Sequence, residues 1–219
     1  MAHSLQAVNP VESTREGKFI VIEGPDGAGS STQIEMLRKY LLEKGEKVDV
    51  LHKEPTNNFI GGLIRGILTK TIIFKSPYGK QLLYVADRFH HLETGIEPAL
   101  EKGFWVLTDR YIPSTLVYGT ADGADWDYLW TMNQPCRVPD LTLLIDLSPE
   151  ICLEKITKGR LKKELFEERK TLEAVVKNYA RFAEEYPNTY LVNGQGSEKM
   201  VHRRIRNMVE EKLYTGHTD

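Results

Sequence analysis

The sequence has few cysteines, almost no net charge and no long apolar segment. Cys136 and Cys152 are the only cysteines among 219 residues, too few for a disulfide framework or a cysteine-based zinc site. No apolar run approaches the ~18–20 residues that span a bilayer, and residues 1–18 lack the apolar segment of a secretory signal. The formal net charge of −2 gives no sign of nucleic-acid binding. We therefore expect a cytoplasmic protein with neither a membrane nor a nucleic-acid partner.

What the sequence does contain is a regular alternation of short apolar runs and helical patterns. Hydrophobic residues make up 41% of the chain and charged residues 27%, as in an ordinary globular protein. Short, mainly apolar runs of three to six residues are typical of strands buried on both faces of a parallel sheet. The predicted strands are 19–22, 48–51, 104–107, 141–146 and 190–192. This pattern predicts a three-layer α/β fold, with a five-stranded parallel sheet between two layers of helices.

Helical patterns lie between the predicted strands. They cover 32–44, 60–68, 78–102, 113–118, 126–133, 150–156, 167–185 and 197–213. Within the longest of them, Pro98 is expected either to kink the helix or to start a second one. No repeat or linker divides the chain, so we expect one domain over 18–213, with loose tails at 1–17 and 214–219.

The segment Gly24-Pro25-Asp26-Gly27-Ala28-Gly29-Ser30-Ser31-Thr32 is a glycine-rich turn between the first strand and the first helix. This setting is typical of a phosphate-binding P-loop, in which backbone N–H groups and the helix N-terminus face an anion. Ser31 stands where a hydroxyl binds Mg²⁺, whereas Ser30 occupies the position of the usual lysine. The alternative is a tight turn with incidental glycines.

Charged residues follow the second and third predicted strands. Lys53-Glu54-Pro55 comes after one, and Thr108-Asp109-Arg110-Tyr111 after the other. Because the carboxyl ends of parallel strands meet at one edge, where ligands bind, we expect these groups to converge with the glycine-rich turn. Asp109 and Arg110 suit magnesium and phosphate respectively. An ion pair that closes a loop is the alternative.

Two further segments add candidate groups. Tyr84 and Arg88 lie four residues apart on one helix face, where a ring could stack on a base beside an arginine that binds its edge. The alternative is a core aromatic residue with a solvated arginine. The basic run 158–167, which follows a short helix, is either a lid that brings cations onto phosphates or an ordinary solvated face.

Together these motifs resemble the thymidylate kinase family of P-loop nucleoside-monophosphate kinases, from about residue 18 to 213. Six elements occur in the family's order: the loop with Asp26, Glu54-Pro55, Tyr84 with Arg88, Asp109-Arg110-Tyr111 with Ser114 and Tyr118, Pro139-Asp140-Leu141, and Phe166-Glu167. The resemblance implies transfer of the ATP γ-phosphate to dTMP with Mg²⁺, in a homodimer.

The resemblance also implies roles for individual residues. Those that would hold the ATP phosphates are Gly24, Pro25, Asp26, Gly27, Ala28, Gly29, Ser30, Ser31 and Thr32. Those that would bind dTMP are Glu54, Arg65, Tyr84, Arg88, Asp109, Arg110, Ser114, Thr115 and Tyr118. Asp26, Arg110 and Arg160 would be catalytic, and Ser31 and Asp109 would bind Mg²⁺. Arg160 lies in a lid near 157–168, which we expect to supply the cation that Ser30 lacks.

Two alternative functions remain open at this point. One is a kinase for another (deoxy)nucleoside monophosphate. The other is a catalytically silent nucleotide-binding protein, a hypothesis that Ser30 favours.

Overall fold

The computed structural model describes residues 17–49, 52–156 and 162–214. Its sheet contains five parallel strands, which confirms the predicted fold class. The strands are β1 (Phe19–Glu23), β2 (His52–Lys53), β3 (Val106–Asp109), β4 (Leu141–Asp146) and β5 (Thr189–Asn193), in the order β2-β3-β1-β4-β5. The central position of β1 places the turn that follows it in the middle of the carboxyl edge.

Helices cover both faces of this sheet. They are α1 (Ser30–Glu43), α2 (Phe59–Leu68), α3 (Pro77–His91), α4 (Glu97–Glu101), α5 (Ile112–Ala121), α6 (Trp126–Asn133), α7 (Pro149–Ile156), α8 (Lys162–Glu185) and α9 (Glu198–Val209). π-helical turns follow α3 at Leu92–Ile96 and α9 at Glu210–Tyr214. No helix of the described ranges is both long and apolar enough to cross a membrane.

The predicted helix 78–102 is interrupted by the first π-helical turn. The N–H of Glu97 bonds the carbonyl of Leu92, five residues back, and Pro98 lies in the first turn of α4. Proline has no N–H to donate, so it is tolerated where a helix begins. Of the two possibilities for Pro98, the second helix is confirmed.

The third predicted strand is displaced toward the ligand edge. Of the second predicted strand, 48–51, Val48 forms a parallel bridge with Trp105, residues 50 and 51 lie outside the described residues, and the described ladder of β2 is His52–Lys53. Instead of 104–107, β3 runs from Val106 to Asp109. The apolar criterion misplaced β3 because its last residues are polar. Lys53 and Asp109 therefore end strands rather than follow them.

Alternation along the strands divides the core into two layers. Phe19 and Val21 face a cluster that includes Phe182 of α8, whereas Ile20 and Ile22 face one that includes Leu37 of α1. Successive strand residues point to opposite faces, so a strand buried in both layers must be apolar throughout. The two layers hold the carboxyl edge of the sheet rigidly beneath the turns that carry the candidate site.

Candidate functional site

The glycine-rich turn joins the end of β1 to the first residue of α1. Gly27 and Gly29 adopt φ angles of +84° and +90°, which residues with a Cβ rarely adopt. Gly29 is also the N-cap of α1, and it offers no side chain to bond the first N–H groups of the helix. These donors, together with the positive end of the helix dipole, are the groups that an anion site requires.

Asp109, at the end of β3, lies beside the start of α1. Its two carboxylate oxygens accept hydrogen bonds from Ser30 Oγ at 2.8 Å and Ser31 Oγ at 2.5 Å. Lys53 Nζ, at the end of β2, lies 3.6 Å from Asp109 Oδ2. The structure therefore brings together Ser31 and Asp109, the two residues predicted to bind a metal.

This arrangement fits Mg²⁺ held jointly by protein and phosphate. In the described part of the chain, no three His, Cys, Asp or Glu side chains come together as a metal cage. Mg²⁺ does not need such a cage, because it usually takes one or two protein oxygens and fills its remaining positions with water and phosphate. The Ser31 hydroxyl and the Asp109 carboxylate supply oxygens of that kind.

Arg110 leaves the sheet in a different direction from Asp109. Its φ of +75° places it in the left-handed region. From there its Nη2 donates to Asp26 Oδ1 at 2.6 Å, and its Nη1 donates to Ser114 Oγ at 3.0 Å. Its guanidinium carbon lies 5.1 Å from the centre of the Tyr118 ring. The adjacent residues Asp109 and Arg110 thus serve two different parts of the site instead of pairing with each other.

Glu23 fixes the segment that carries Arg110, a role that our sequence prediction missed. The carboxylate accepts hydrogen bonds from the backbone N–H groups of Tyr111 and Ser114 and from the hydroxyls of Ser114 and Tyr179. Burial raises the pKa of Glu23, although Arg110 and these hydrogen bonds act against that shift. An acidic residue at the end of a fully buried strand was the signal in the sequence.

Arg88 is a buried residue, not a solvated one. Only 1% of it is exposed. Its Nε and Nη2 donate to Glu54 Oε2 at 2.9 and 2.7 Å, and its Nη1 donates to Thr115 and Asn133. A charge buried this deeply requires a full set of partners, and Glu54, Thr115 and Asn133 provide them. The hypothesis of a core aromatic residue beside a solvated arginine is wrong for Arg88.

A cavity of about 500 Å³ opens between these groups. Its size is within the range of small-molecule sites, roughly 300–1,000 Å³. The predicted residues that line it are Asp26, Glu54, Tyr84, Arg88, Arg110, Ser114, Thr115 and Tyr118. Lining residues that were not predicted are Lys53, Pro55, Leu68, Lys80, Gln81, Tyr111 and Asp122. Burial raises the pKa of Tyr84 to about 12, so its ring stays neutral in the cavity wall.

Other predicted residues lie away from the cavity. The Arg65 guanidinium donates to the backbone carbonyl of Thr56, and Arg65 does not line the cavity. Asp109 likewise lies outside its lining, at the glycine-rich turn. Arg160 and residues 157–161 of the predicted lid lie outside the described residues.

Comparisons with known proteins agree with this geometry. The model of the family described as thymidylate kinase matches residues 22–205. A probable thymidylate kinase of Thermococcus gammatolerans is 38% identical over 209 residues, which cover 91% of this chain and 99% of that protein. A thymidylate kinase of Thermoanaerobacter sp. is 34% identical over 206 residues, covering 90% of this chain and 100% of that protein.

A third relative, a thymidylate kinase of Carboxydothermus hydrogenoformans, is 42% identical over 161 residues, covering 72% of this chain and 78% of that protein. The family match starts within β1 and ends within α9, so it includes both the glycine-rich turn and the cavity. On this evidence, the chain belongs to the thymidylate kinase family.

Proposed function

We propose that the protein transfers the γ-phosphate of ATP to dTMP, giving dTDP. Membership of a phosphotransferase family supports this proposal. The observation that carries it is the cavity in which Tyr84, Arg88 and Arg110 converge beside the glycine-rich turn. A protein that only bound a nucleotide at that turn would have no use for a second cavity lined by two arginines.

On the donor side, the backbone N–H groups within residues 24–32, which Pro25 lacks, and the N-terminus of α1 bind the ATP phosphates. Ser31 and Asp109 would hold Mg²⁺, which when bound offsets the negative charge of the phosphates. Ser30 contributes a hydroxyl but no charge. We assign the replacement cation to Arg160 of the lid, with Lys53 as the alternative, because Lys53 Nζ is 3.6 Å from Asp109.

On the acceptor side, the thymine ring stacks on Tyr84 and its edge meets Arg88. Arg110, steadied by Asp26 and Ser114, binds the dTMP phosphate close to the donor turn. Arg65 joins this clamp only after leaving the Thr56 carbonyl. Tyr118 packs against the sugar, where a ribose hydroxyl would clash. Such positioning, with little covalent chemistry from the protein, is what phosphoryl transfer requires.

A coupled assay of ADP release with ATP and Mg²⁺ tests this function. We expect turnover with dTMP, and less with dCMP, dGMP and dAMP. Preference for another monophosphate would indicate the related kinase. Calorimetric binding of ATP without turnover on any monophosphate would indicate the silent nucleotide-binding protein.

We also propose that residues 18–213 form one kinase domain that acts as a homodimer in the cytoplasm. The buried thiols of Cys136 and Cys152, which form no disulfide, support a reducing compartment. Phe59 at the start of α2 is 82% exposed and Ile73, before α3, is 84% exposed. Exposed large apolar side chains of this kind favour a protein partner, here a second copy of the chain.

Sedimentation velocity tests the dimer. We expect the parent to sediment as a dimer and Ile73→Lys to shift toward monomer. For Tyr128→Lys, at an exposed position of α6, we expect no such shift. A monomeric parent across micromolar concentrations would contradict the proposal.

A further inference from the structure

Gln81 has a buried amide oxygen without a hydrogen-bond partner in the part of the chain that the structure describes. The residue lies on α3, and only 2% of it is exposed. An unpaired buried polar group costs roughly 1–3 kcal/mol, so its presence calls for an explanation. Gln81 also lines the candidate acceptor cavity, which points to a ligand as the missing partner.

The backbone places Gln81 in line with the proposed base-binding residues. Tyr84 follows it by one helical turn and Arg88 by two, so the three side chains lie along one face of α3. All three line the same cavity. Gln81 therefore belongs to the wall of the cavity in which we place the base.

The opposite helix leaves space for this amide. A Cβ atom at Gly119 of α5 would lie 3.0 Å from Gln81 Cγ and 3.2 Å from Cδ. A side chain at position 119 would therefore crowd the amide. Thr115, one turn earlier on α5, accepts a hydrogen bond from Arg88. The helix α5 therefore contacts both Gln81 and Arg88, the first and last of the three residues along this face of α3.

Arg88 supplies the complementary hydrogen-bonding group. A guanidinium has five N–H donors, and four of them are bonded to Glu54, Thr115 and Asn133. The remaining donor, on Nη2, has no partner in the described ranges. The cavity wall therefore offers a donor from Arg88 together with an acceptor and a donor from the amide of Gln81.

We propose that Gln81 is a specificity-determining residue that reads the Watson–Crick edge of thymine. Its Oε1 accepts from N3–H and its Nε2 donates to O2, while Arg88 donates to O4. Cytosine presents an amino group in place of O4 and a lone pair at N3, so it would meet like groups at both positions. This inference rests on the proposed function, because it names the group that selects the base.

The test replaces the amide by an apolar side chain of similar length. For Gln81→Met, we expect kcat/KM for dTMP and dUMP to fall about tenfold, mainly through KM, since each lost neutral hydrogen bond weakens binding by ~0.5–1.5 kcal/mol. The value for dCMP should stay constant or rise. Gln134→Met, at the exposed C-cap of α6, is the matched control and should leave all three unchanged. An equal fall for all three nucleotides, or no fall, would overturn the proposal.

Two further measurements keep the result interpretable. Gly119→Ala crowds the Gln81 side chain without removing the amide, and its Cβ would also lie 2.7 Å from Leu129 Cδ1, so its fold is checked by thermal unfolding. We expect the same base-selective loss from this variant if Gln81→Met fails to fold. Calorimetric titration with dTMP and dCMP, without ATP, reports base selection even if turnover is absent. If the parent shows no turnover but its preference for binding dTMP over dCMP disappears in Gln81→Met, the proposed reaction is refuted and the role of Gln81 is supported. If the preference for dTMP over dCMP is the same in Gln81→Met as in the parent, only the role of Gln81 is refuted.

Discussion

A single oxygen of Glu54 accepts two hydrogen bonds from one edge of the Arg88 guanidinium. Nε and Nη2 both donate to Oε2, at 2.9 and 2.7 Å, while the other oxygen lies 3.3 Å from His91 Nδ1. At most 2% of Glu54 or of Arg88 is exposed. Glu54 thus fixes the orientation of the guanidinium that faces the cavity, and it does so without solvent.

Removal of Glu54 is expected to cost stability as well as activity. Breaking a buried ion pair from one side typically costs ~3–5 kcal/mol, because the remaining charge loses its partner. We expect Glu54→Ala to lower the free energy of unfolding in urea by about that amount. The double variant Glu54→Ala/Arg88→Met should recover part of the loss. A single variant within ~1 kcal/mol of the parent would contradict this account.

Arg110 combines a functional side chain with a backbone conformation that favours glycine. Its φ of +75° suggests a pair of variants that separates the two. Arg110→Gly should be more stable than Arg110→Ala by ~1–2 kcal/mol, since only the alanine retains the left-handed strain. Both should be equally inactive, because each lacks the guanidinium. Equal stability in thermal and urea unfolding would argue against the strain.

Tyr84 should act through its ring rather than its hydroxyl. Stacking of a base on an aromatic side chain contributes ~1–3 kcal/mol, so Tyr84→Ala should raise the KM for dTMP by about 5- to 150-fold. Tyr84→Phe should stay close to the parent. Because burial raises the pKa of Tyr84 to about 12, its ionisation should not affect KM below about pH 10. A large defect in Tyr84→Phe would assign the role to the hydroxyl instead.

Glu23 should make stability depend on pH. Burial raises its pKa in the folded state above the unfolded value, so the folded state binds the proton more tightly. Its contribution is most favourable below the unfolded pKa and is lost as pH rises through the folded pKa. The stability of the parent relative to Glu23→Gln should therefore decrease from about pH 4 to neutral pH. Urea unfolding across this range measures the difference, and a flat or rising one would contradict the burial effect.

The fold could be predicted from the sequence because burial on both faces of a sheet requires continuous apolar runs, and these runs are visible in the sequence. β1 and β4 were placed within one residue of their observed bounds, since a strand covered on both faces must be apolar throughout. The same criterion misplaced β3, whose last residues are polar because they reach the ligand edge. Strand ends that carry function are therefore the places where hydrophobic pattern is least informative.

The candidate site was predictable where neighbours in sequence stay neighbours in space. Tyr84 and Arg88 share a helix face, and both line the cavity. The role of Glu23, by contrast, depends on Tyr179, which is 156 residues away. Likewise, the space that admits the Gln81 amide exists only because Gly119 packs opposite it. Such long-range pairs leave no local pattern from which they could be predicted.

Ser30 leads to the last prediction, on the cation that the glycine-rich turn lacks. Loss of one preorganised group that stabilises transferred charge typically costs ~10²–10³ in kcat, so Arg160→Ala should lose at least that. Ser30→Lys should restore much of it in the Arg160→Ala background, while changing the parent little, because the parent's charge is already supplied. Lys39→Ala, on the exposed side of α1, is the control for loss of a cation elsewhere. Near-normal kcat in Arg160→Ala, with the large loss in Lys53→Ala instead, would move the assignment from the lid to the end of β2.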